Sequence, residues 1–208
     1  MNTIDKLTEI FKHFPGIGPR QAKRFVYFLL TRNKNYIKEF TTLVEELQKE
    51  IQICQGCFRY FTKNNNPQFL CDICQSKNRD ESSLMVVARD IDLENIEKSH
   101  SFDGKYFVLG GTIPILEKNP ENKIRFKELL LLVEKKCQGS TLTLKEIILG
   151  FSVNPESEYT AQFIIENLIP LITKYNLKIS HLGRGLSTGT ELEYSDIDTI
   201  KNALKNRS

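Results

Sequence analysis

The sequence predicts an α+β protein with several domains, and three observations along its 208 residues carry that prediction. Apolar residues recur at helical spacing through residues 1–53, two CxxC pairs fall within residues 54–79, and short β-type runs alternate with helices from residue 80. We therefore expect a helical domain at 1–53, a small metal module at 54–79, an α/β domain with a parallel sheet at 80–176, and a C-terminal strand and helix at 177–208.

Composition narrows the class of protein before any motif is considered. With 40% hydrophobic and 26% charged residues, the chain is neither collagen, nor a coiled-coil rod, nor a disordered tail. No window approaches the roughly 20 apolar residues of a membrane span. The N-terminus also lacks the basic and apolar stretches of a signal peptide. We therefore expect a cytoplasmic protein without a membrane partner.

Positive charge is concentrated near the N-terminus. The first 80 residues carry 13 Lys or Arg against 8 Asp or Glu, a net charge of +5, and the remainder has −2. No acidic residue occurs between Glu9 and Glu39, where seven basic residues fall: Lys12, Arg20, Lys23, Arg24, Arg32, Lys34 and Lys38. This stretch is a candidate surface for a polyanion, although a short charge run can also be an ordinary solvated face.

Three helices are expected in the N-terminal domain. Thr3 is a plausible N-cap of the first, which ends near His13. The second follows a tight turn at residues 14–20 (FPGIGPR), because two glycines permit unusual backbone angles and Pro19 suits a first helical position. Its apolar arc contains Ala22, Phe25, Val26 and Leu29. Its opposite side contains Arg20, Lys23 and Arg24. The third is expected across residues 36–51, with Ile37, Phe40, Val44, Leu47 and Ile51 on one stripe.

The turn between the first two helices is a candidate DNA-binding site. Gly16 and Gly18 leave backbone amides open at the start of the second helix, and Arg20, Lys23 and Arg24 follow within about a turn. A nucleic-acid phosphate fits such a site without base contacts, so binding would be independent of sequence and sensitive to salt. The alternative is a corner that needs glycine for its geometry alone.

Four cysteines predict a metal site. Cys54 and Cys57 form one CxxC pair, Cys71 and Cys74 form another, and 13 residues separate the pairs. Four thiolates can close the tetrahedral sphere of one zinc ion, so the site would be structural, with one Zn²⁺ per chain. Two disulfides are the main alternative, and an iron–sulfur cluster shares the same ligand set. Cys137, alone on a predicted helix, is expected to be a small core residue.

The second half is expected to form a parallel sheet covered on both faces. Strands are predicted at 84–87, 106–109, 146–151 and 177–182, and helices from Asp92, across 124–136 and across 159–175. Ligands of such sheets bind beyond the carboxyl ends of the strands. Those ends carry Ala88-Arg89, Gly110-Gly111 and Ser152-Val153-Asn154, followed by Glu156 and Glu158.

These strand ends offer a poor set of metal ligands. A magnesium-dependent phosphoryl-transfer site would need several converging carboxylates, and the first strand delivers Ala88. Glu156 and Glu158 therefore have three interpretations: a docking patch for a basic partner, residues that favour the start of the following helix, or remnants of a metal site.

The order of these motifs resembles the RecR recombination mediator family along nearly the whole chain. Residues 14–24 (FPGIGPRQAKR) resemble its helix-hairpin-helix, with Arg20 and Arg24 at the positions that contact DNA, and the four cysteines match its zinc module. Residues 104–111, 156–161 and 189–194 resemble three sequence motifs of its Toprim domain and C-terminal region.

The resemblance implies a Toprim fold without Toprim catalysis and a homo-oligomer, a dimer or a ring tetramer, around DNA. It also implies partnership with RecO, and with RecF as a further candidate, to help RecA displace single-strand binding protein at gaps. Glu156 and Glu158 would belong to the acidic surface used toward RecO. The sequence thus predicts a non-enzymatic DNA-binding mediator. A Toprim nuclease or primase-like enzyme, and a zinc-bearing interaction protein without nucleic acid, are the alternatives.

Overall fold

The computed structural model describes residues 1–63, 69–138, 144–183, 197 and 199–201. The chain divides into a helical unit, Met1–Gln52, and an α/β unit, Ile53–Ser208. The domain boundaries expected after residues 53, 79 and 176 stay predictions.

The helical unit contains the three expected helices, α1 (Thr3–Lys12), α2 (Pro19–Leu30) and α3 (Lys34–Glu50). The prediction that Thr3 caps α1 is wrong. Asn2 is the cap, because its Oδ1 accepts the N–H of Asp5 at 2.9 Å, and Thr3 is the first helical residue. The start of α2 at Pro19 is confirmed, and α3 begins two residues earlier than expected because Asn33 caps it through the N–H of Tyr36.

Aromatic packing joins α1 to α2. Phe11 makes edge-to-face contacts with Phe14 and Phe25, with ring centroids 5.5 and 5.8 Å apart. Ala22 and Val26, on the apolar arc of α2, are buried. The apolar stripe of α3 is largely exposed in this single chain; Phe40, Val44 and Leu47 are between 39% and 61% exposed.

The expected parallel sheet is confirmed. Its strands are β3 (Asp80–Val87), β4 (Gly104–Val108), β5 (Glu146–Gly150) and β6 (Lys178–His181), in the order β4-β3-β5-β6. The helices of this unit are α5 (Asp90–Ser99), α6 (Phe126–Gln138) and α7 (Pro155–Tyr175), with a short 3₁₀ helix at Pro120–Asn122. Three shorter elements near the cysteines were not predicted from the sequence: β1 (Ile51–Ile53), β2 (Tyr60–Thr62) and α4 (Asp72–Gln75).

Two helix starts differ from the prediction. The helix expected from Asp92 begins at Asp90, and the carboxylate of Asp92 accepts the N–H of Arg89 at 3.0 Å. The helix expected from Tyr159 begins at Pro155, because the Asn154 side chain accepts the N–H of Ser157 at 2.9 Å. Glu156 and Glu158 therefore lie inside the first turn of α7.

Alternate side chains of β3 are buried on opposite faces of the sheet. Leu84 and Val86 pack in a cluster with residues of α6 and α7, whereas Met85 and Val87 pack in a second cluster with residues of α5 and three of the cysteines. The metal module thus covers part of one sheet face. Cys137 is buried in the first cluster, so the prediction of a core residue there is confirmed.

One sequence-based prediction concerns residues outside the described ones: the motif at 189–194, which resembles a segment of the family's C-terminal region. Residues 197 and 199–201 are helical, as expected for a C-terminal helix. Among the helices of the described ranges, none is long and apolar enough to cross a membrane.

Candidate metal centre and nucleic-acid interface

The fold brings the four cysteines together. Cys54 follows β1, Cys57 lies in the turn after it, and Cys71 and Cys74 stand at the N-cap and within α4. All four Sγ atoms lie within 4.8 Å of one another, and Sγ of Cys57 is 3.5 Å from Sγ of Cys71. A zinc tetrahedron with bonds of about 2.3 Å requires S···S separations of about 3.8 Å. The cluster can therefore hold one metal ion.

Backbone amides support negative charge at this cluster. The N–H groups of Gly56 and Cys71 donate to Sγ of Cys54 at 3.4 and 3.2 Å. Gly56 also gives the cluster room, because a Cβ there would lie 3.1 Å from Sγ of Cys74. The first CxxC turn thus needs glycine for close packing on the second.

The ionisation of these thiols is strongly coupled. Hydrogen bonds from Cys57, Cys71 and Cys74 lower the pKa of Cys54 far below that of a free thiol. Hydrogen bonding to Cys54, followed by that to the other two sulfurs, raises the pKa of Cys57 far above it. Four adjacent sulfurs cannot all carry negative charge without a counter-ion, and a divalent cation removes that conflict by ligating all four thiolates.

Lys105 is a buried cation beside the cysteine module that sequence reasoning missed. Its Nζ donates to the carbonyls of Ile73, Cys74 and Ser76 at 3.1, 3.2 and 2.8 Å. Glu81 contributes a carboxylate oxygen 3.9 Å away. Lys105 therefore ties the second CxxC pair to β4 and places positive charge against the backbone carbonyls of that pair. The only signal in the sequence was a lysine inside an otherwise apolar strand.

The turn between α1 and α2 has the geometry of an open helix N-terminus. Gly16 has φ +74°, whereas Gly18, the N-cap of α2, is extended with φ −80° and ψ 169°. No side chain caps α2, and its first turn contains no acid. The partial positive charge at this helix end therefore faces solvent.

The predicted basic face is present on α2. Arg20, Lys23 and Arg24 are all exposed, on the side away from buried Ala22 and Val26. Arg24 contacts its own helix through Gln21 at 3.4 Å. These side chains and the open amides of the hairpin lie on one helix, and that arrangement can hold backbone phosphates.

The strand ends of the α/β unit hold few carboxylates. Ala88 directly follows β3 and is 7% exposed. Both Glu156 and Glu158 are exposed, and Thr112 donates to Oε2 of Glu156 at 3.2 Å. Within the ranges that the structure describes, the cysteines form the one group of three or more His, Cys, Asp or Glu close enough to hold a metal ion.

The fold and the site define a class: a helix-hairpin-helix protein with a four-cysteine metal site packed on a parallel α/β domain. Comparison with known proteins agrees with the helical part and the α/β part. Residues 4–48 match the family described as RecR, helix-hairpin-helix, and residues 82–183 match the Toprim domain.

Relatives match over the whole chain. Recombination protein RecR of Legionella pneumophila (strain Corby) is 36% identical over 209 residues, covering 100% of this chain and 98% of the relative. The RecR proteins of Brachyspira hyodysenteriae and Frankia casuarinae are 30% and 33% identical, covering 100% and 98% of this chain and 96% and 95% of the relatives. The chain belongs to the RecR family, which confirms the resemblance found in the sequence.

Proposed function

We propose that this protein is a non-enzymatic recombination mediator that acts in the cytoplasm and binds DNA without reading its sequence. The observation that carries the proposal is the uncapped start of α2 at Gly18, with Gly16 in the turn before it and Arg20, Lys23 and Arg24 exposed beyond it. Its family, whose members are named recombination proteins, supports a role in recombinational repair.

Phosphate binding by this face is tested by reversing its charge. Arg20→Glu combined with Arg24→Glu should weaken binding equally for unrelated DNA sequences. The slope of log affinity against log salt should flatten by about 0.9 per lost duplex phosphate contact, or about 0.7 on single strands. Lys127→Glu combined with Lys135→Glu is the control, because it makes the same change in net charge on exposed positions of α6. An unchanged slope in the Arg20 and Arg24 variant would remove the hairpin from the DNA site.

The metal in the four-cysteine site is proposed to be a structural zinc ion, one per chain. Cys54, Cys57, Cys71 and Cys74 would fill its coordination sphere, so no position remains for a substrate or water. Supporting this, the sulfurs are mutually within 4.8 Å and largely buried. Elemental analysis of purified protein should find about one zinc per chain. Iron in its place, or no metal, would contradict this assignment.

The proposed partners are RecO, with RecF as a second candidate, in a homo-oligomer that is a dimer or a ring tetramer. Together these proteins would load RecA onto gaps coated with single-strand binding protein. We propose that Glu156 and Glu158 dock the basic partner, because both are exposed in the first turn of α7. Their alternative role is to stabilise the start of that helix.

A matched pair of variants separates these roles. Glu156→Gln combined with Glu158→Gln should abolish association with RecO in a pull-down while zinc content and DNA binding persist. Glu45→Gln combined with Glu46→Gln removes the same charge from exposed positions of α3 and should leave RecO bound. Undiminished association of the first variant would leave only the helix-start role. The enzymatic alternative predicts strand cleavage of gapped DNA with magnesium, which we expect to be absent.

A further inference from the structure

Two exposed aromatic rings and an arginine form a cluster in the helical unit. Phe28 lies near the end of α2, Arg32 follows that helix, and Tyr36 lies in the first turn of α3. The two rings meet edge to face with centroids 6.2 Å apart, and Cζ of Arg32 lies 3.9 Å from the centroid of Phe28 and 5.9 Å from that of Tyr36. We call these three residues the aromatic–arginine cluster.

The cluster is not part of a core. Phe28 is 44% exposed, Tyr36 is 40% exposed, and Arg32 is also exposed. The guanidinium is held against aromatic faces by a cation–π contact, which keeps it in place while its outer face stays accessible. No acidic residue occurs in the sequence between Glu9 and Glu39, so this stretch of chain brings no carboxylate that would repel an anion.

The cluster continues the basic face of α2. Arg20, Arg24 and Phe28 are spaced four residues apart, so they form one ridge along the helix. Phe28 lies one turn beyond Arg24, a rise of about 6 Å along the axis. A strand whose phosphates bind at Arg20 and Arg24 can thus present a neighbouring base at Phe28.

We propose that the aromatic–arginine cluster stacks on unpaired bases, so that this protein prefers single-stranded to duplex DNA. The inference rests on the proposed function, since it assumes that the basic face of α2 binds the phosphates. Every base has a π face that can lie on an aromatic ring or on a guanidinium plane. In a duplex these faces are already stacked on neighbouring bases. The cluster therefore adds affinity for a single strand alone, and it does so without adding phosphate contacts.

The test removes the rings and keeps the charges. Phe28→Leu combined with Tyr36→Leu retains apolar side chains but has no ring to stack. Binding to a short fluorescent single strand should weaken about tenfold for each base that loses its partner. Binding to the blunt duplex of the same sequence should not change, and neither should the salt slope on either DNA.

A second variant reports stacking directly. The chain contains no tryptophan, so Phe28→Trp keeps an aromatic ring and introduces a single tryptophan, whose emission can be excited selectively beside the seven tyrosines. Its fluorescence should be quenched by single-stranded DNA and not by the duplex, and its single-strand affinity should remain at least that of the unaltered protein. Emission that single-stranded DNA leaves unchanged would overturn the proposal, even if the leucine variant failed to fold.

The other outcomes are also decisive. Equal loss of single-strand and duplex binding would overturn the proposal, and so would a change in the mass of the leucine variant by sedimentation, which would assign the rings to an interface between copies. If the Arg20 and Arg24 variant still binds DNA, the proposed function itself fails. If that variant loses DNA while the leucine variant binds single strands normally, only the stacking proposal fails.

Discussion

Exchanging Gly16 or Gly18 for alanine should separate folding from DNA binding in the hairpin. The two glycines differ in the structure: Gly16 has φ +74°, in the left-handed region, and Gly18 has φ −80°, which any residue adopts. A Cβ added at either position meets no atom within 4 Å. Any cost of substitution in the free protein therefore comes from backbone conformation and helix capping rather than from a clash, and it should be larger at Gly16.

The size of that cost follows from the backbone angles. Left-handed backbone costs an alanine roughly 1–2 kcal/mol, and the lower entropy of the unfolded chain returns about 0.4–1 kcal/mol. Gly16→Ala should therefore destabilise the helical unit by about 1 kcal/mol. For Gly18→Ala the poorer N-cap costs roughly 0.5–1 kcal/mol, because alanine caps a helix less well than glycine, and the entropy term of about 0.4–1 kcal/mol offsets most of it. Its stability should not change measurably.

DNA binding should show the opposite order. The space beside Gly18 is where a phosphate would approach the amides at the start of α2, and a methyl group there would keep it at a distance. Loss of one hydrogen bond to a charged group would weaken binding about tenfold. Gly16→Ala should bind DNA with nearly normal affinity under conditions where it remains folded.

Both properties can be measured in the full chain. Hydrogen exchange of the α2 amides reports opening of the helical unit, and fluorescence anisotropy across a salt series reports DNA affinity. The reasoning is refuted if Gly18→Ala opens as readily as Gly16→Ala. It is equally refuted if Gly18→Ala binds DNA like the unaltered protein, because the hairpin amides would then not be the phosphate site.

Three further predictions concern the α/β unit. Lys105→Met should weaken metal retention against a chelator about 10–100-fold. Lys145→Met, at an exposed position, is the control and should retain the metal normally. Equal retention in the two variants would show that Lys105 does not stabilise the metal site. Cys57→Ser should lower the metal content per chain and the soluble yield before any change in DNA affinity; full metal content would contradict a four-thiolate site. Burial alone would raise the pKa of Glu97, but the hydrogen-bonded ion pair with Arg79 holds it below the ordinary value. The stability it contributes is therefore present above the unfolded pKa of about 4.3 and lost as pH falls through the folded value. Glu97→Gln should reduce the pH dependence of the unfolding free energy in the acid range. An unchanged pH dependence would show that the Glu97–Arg79 pair contributes no stability.

Much of this protein follows from short-range patterns in its sequence. Helical spacing of apolar residues and the position of Pro19 located α2, and alternating strands and helices predicted the parallel sheet. Two CxxC pairs predicted that Cys54, Cys57, Cys71 and Cys74 would meet. The sequence signals behind these predictions are local, because helix periodicity and CxxC spacing each depend on residues within a few positions of one another. The DNA and partner residues assigned from the same patterns stay predictions.

Tertiary structure decided what no local pattern contains. Lys105 reaches carbonyls 29 to 32 residues earlier in the chain, so its neighbours exist only after β4 and the cysteine module have packed. The exposure of Phe28 and Tyr36 likewise depends on how α2 and α3 meet, because an aromatic residue in an amphipathic helix is as compatible with a core as with a surface. Periodicity specifies which face of a helix is apolar, and only the packed chain specifies what covers that face.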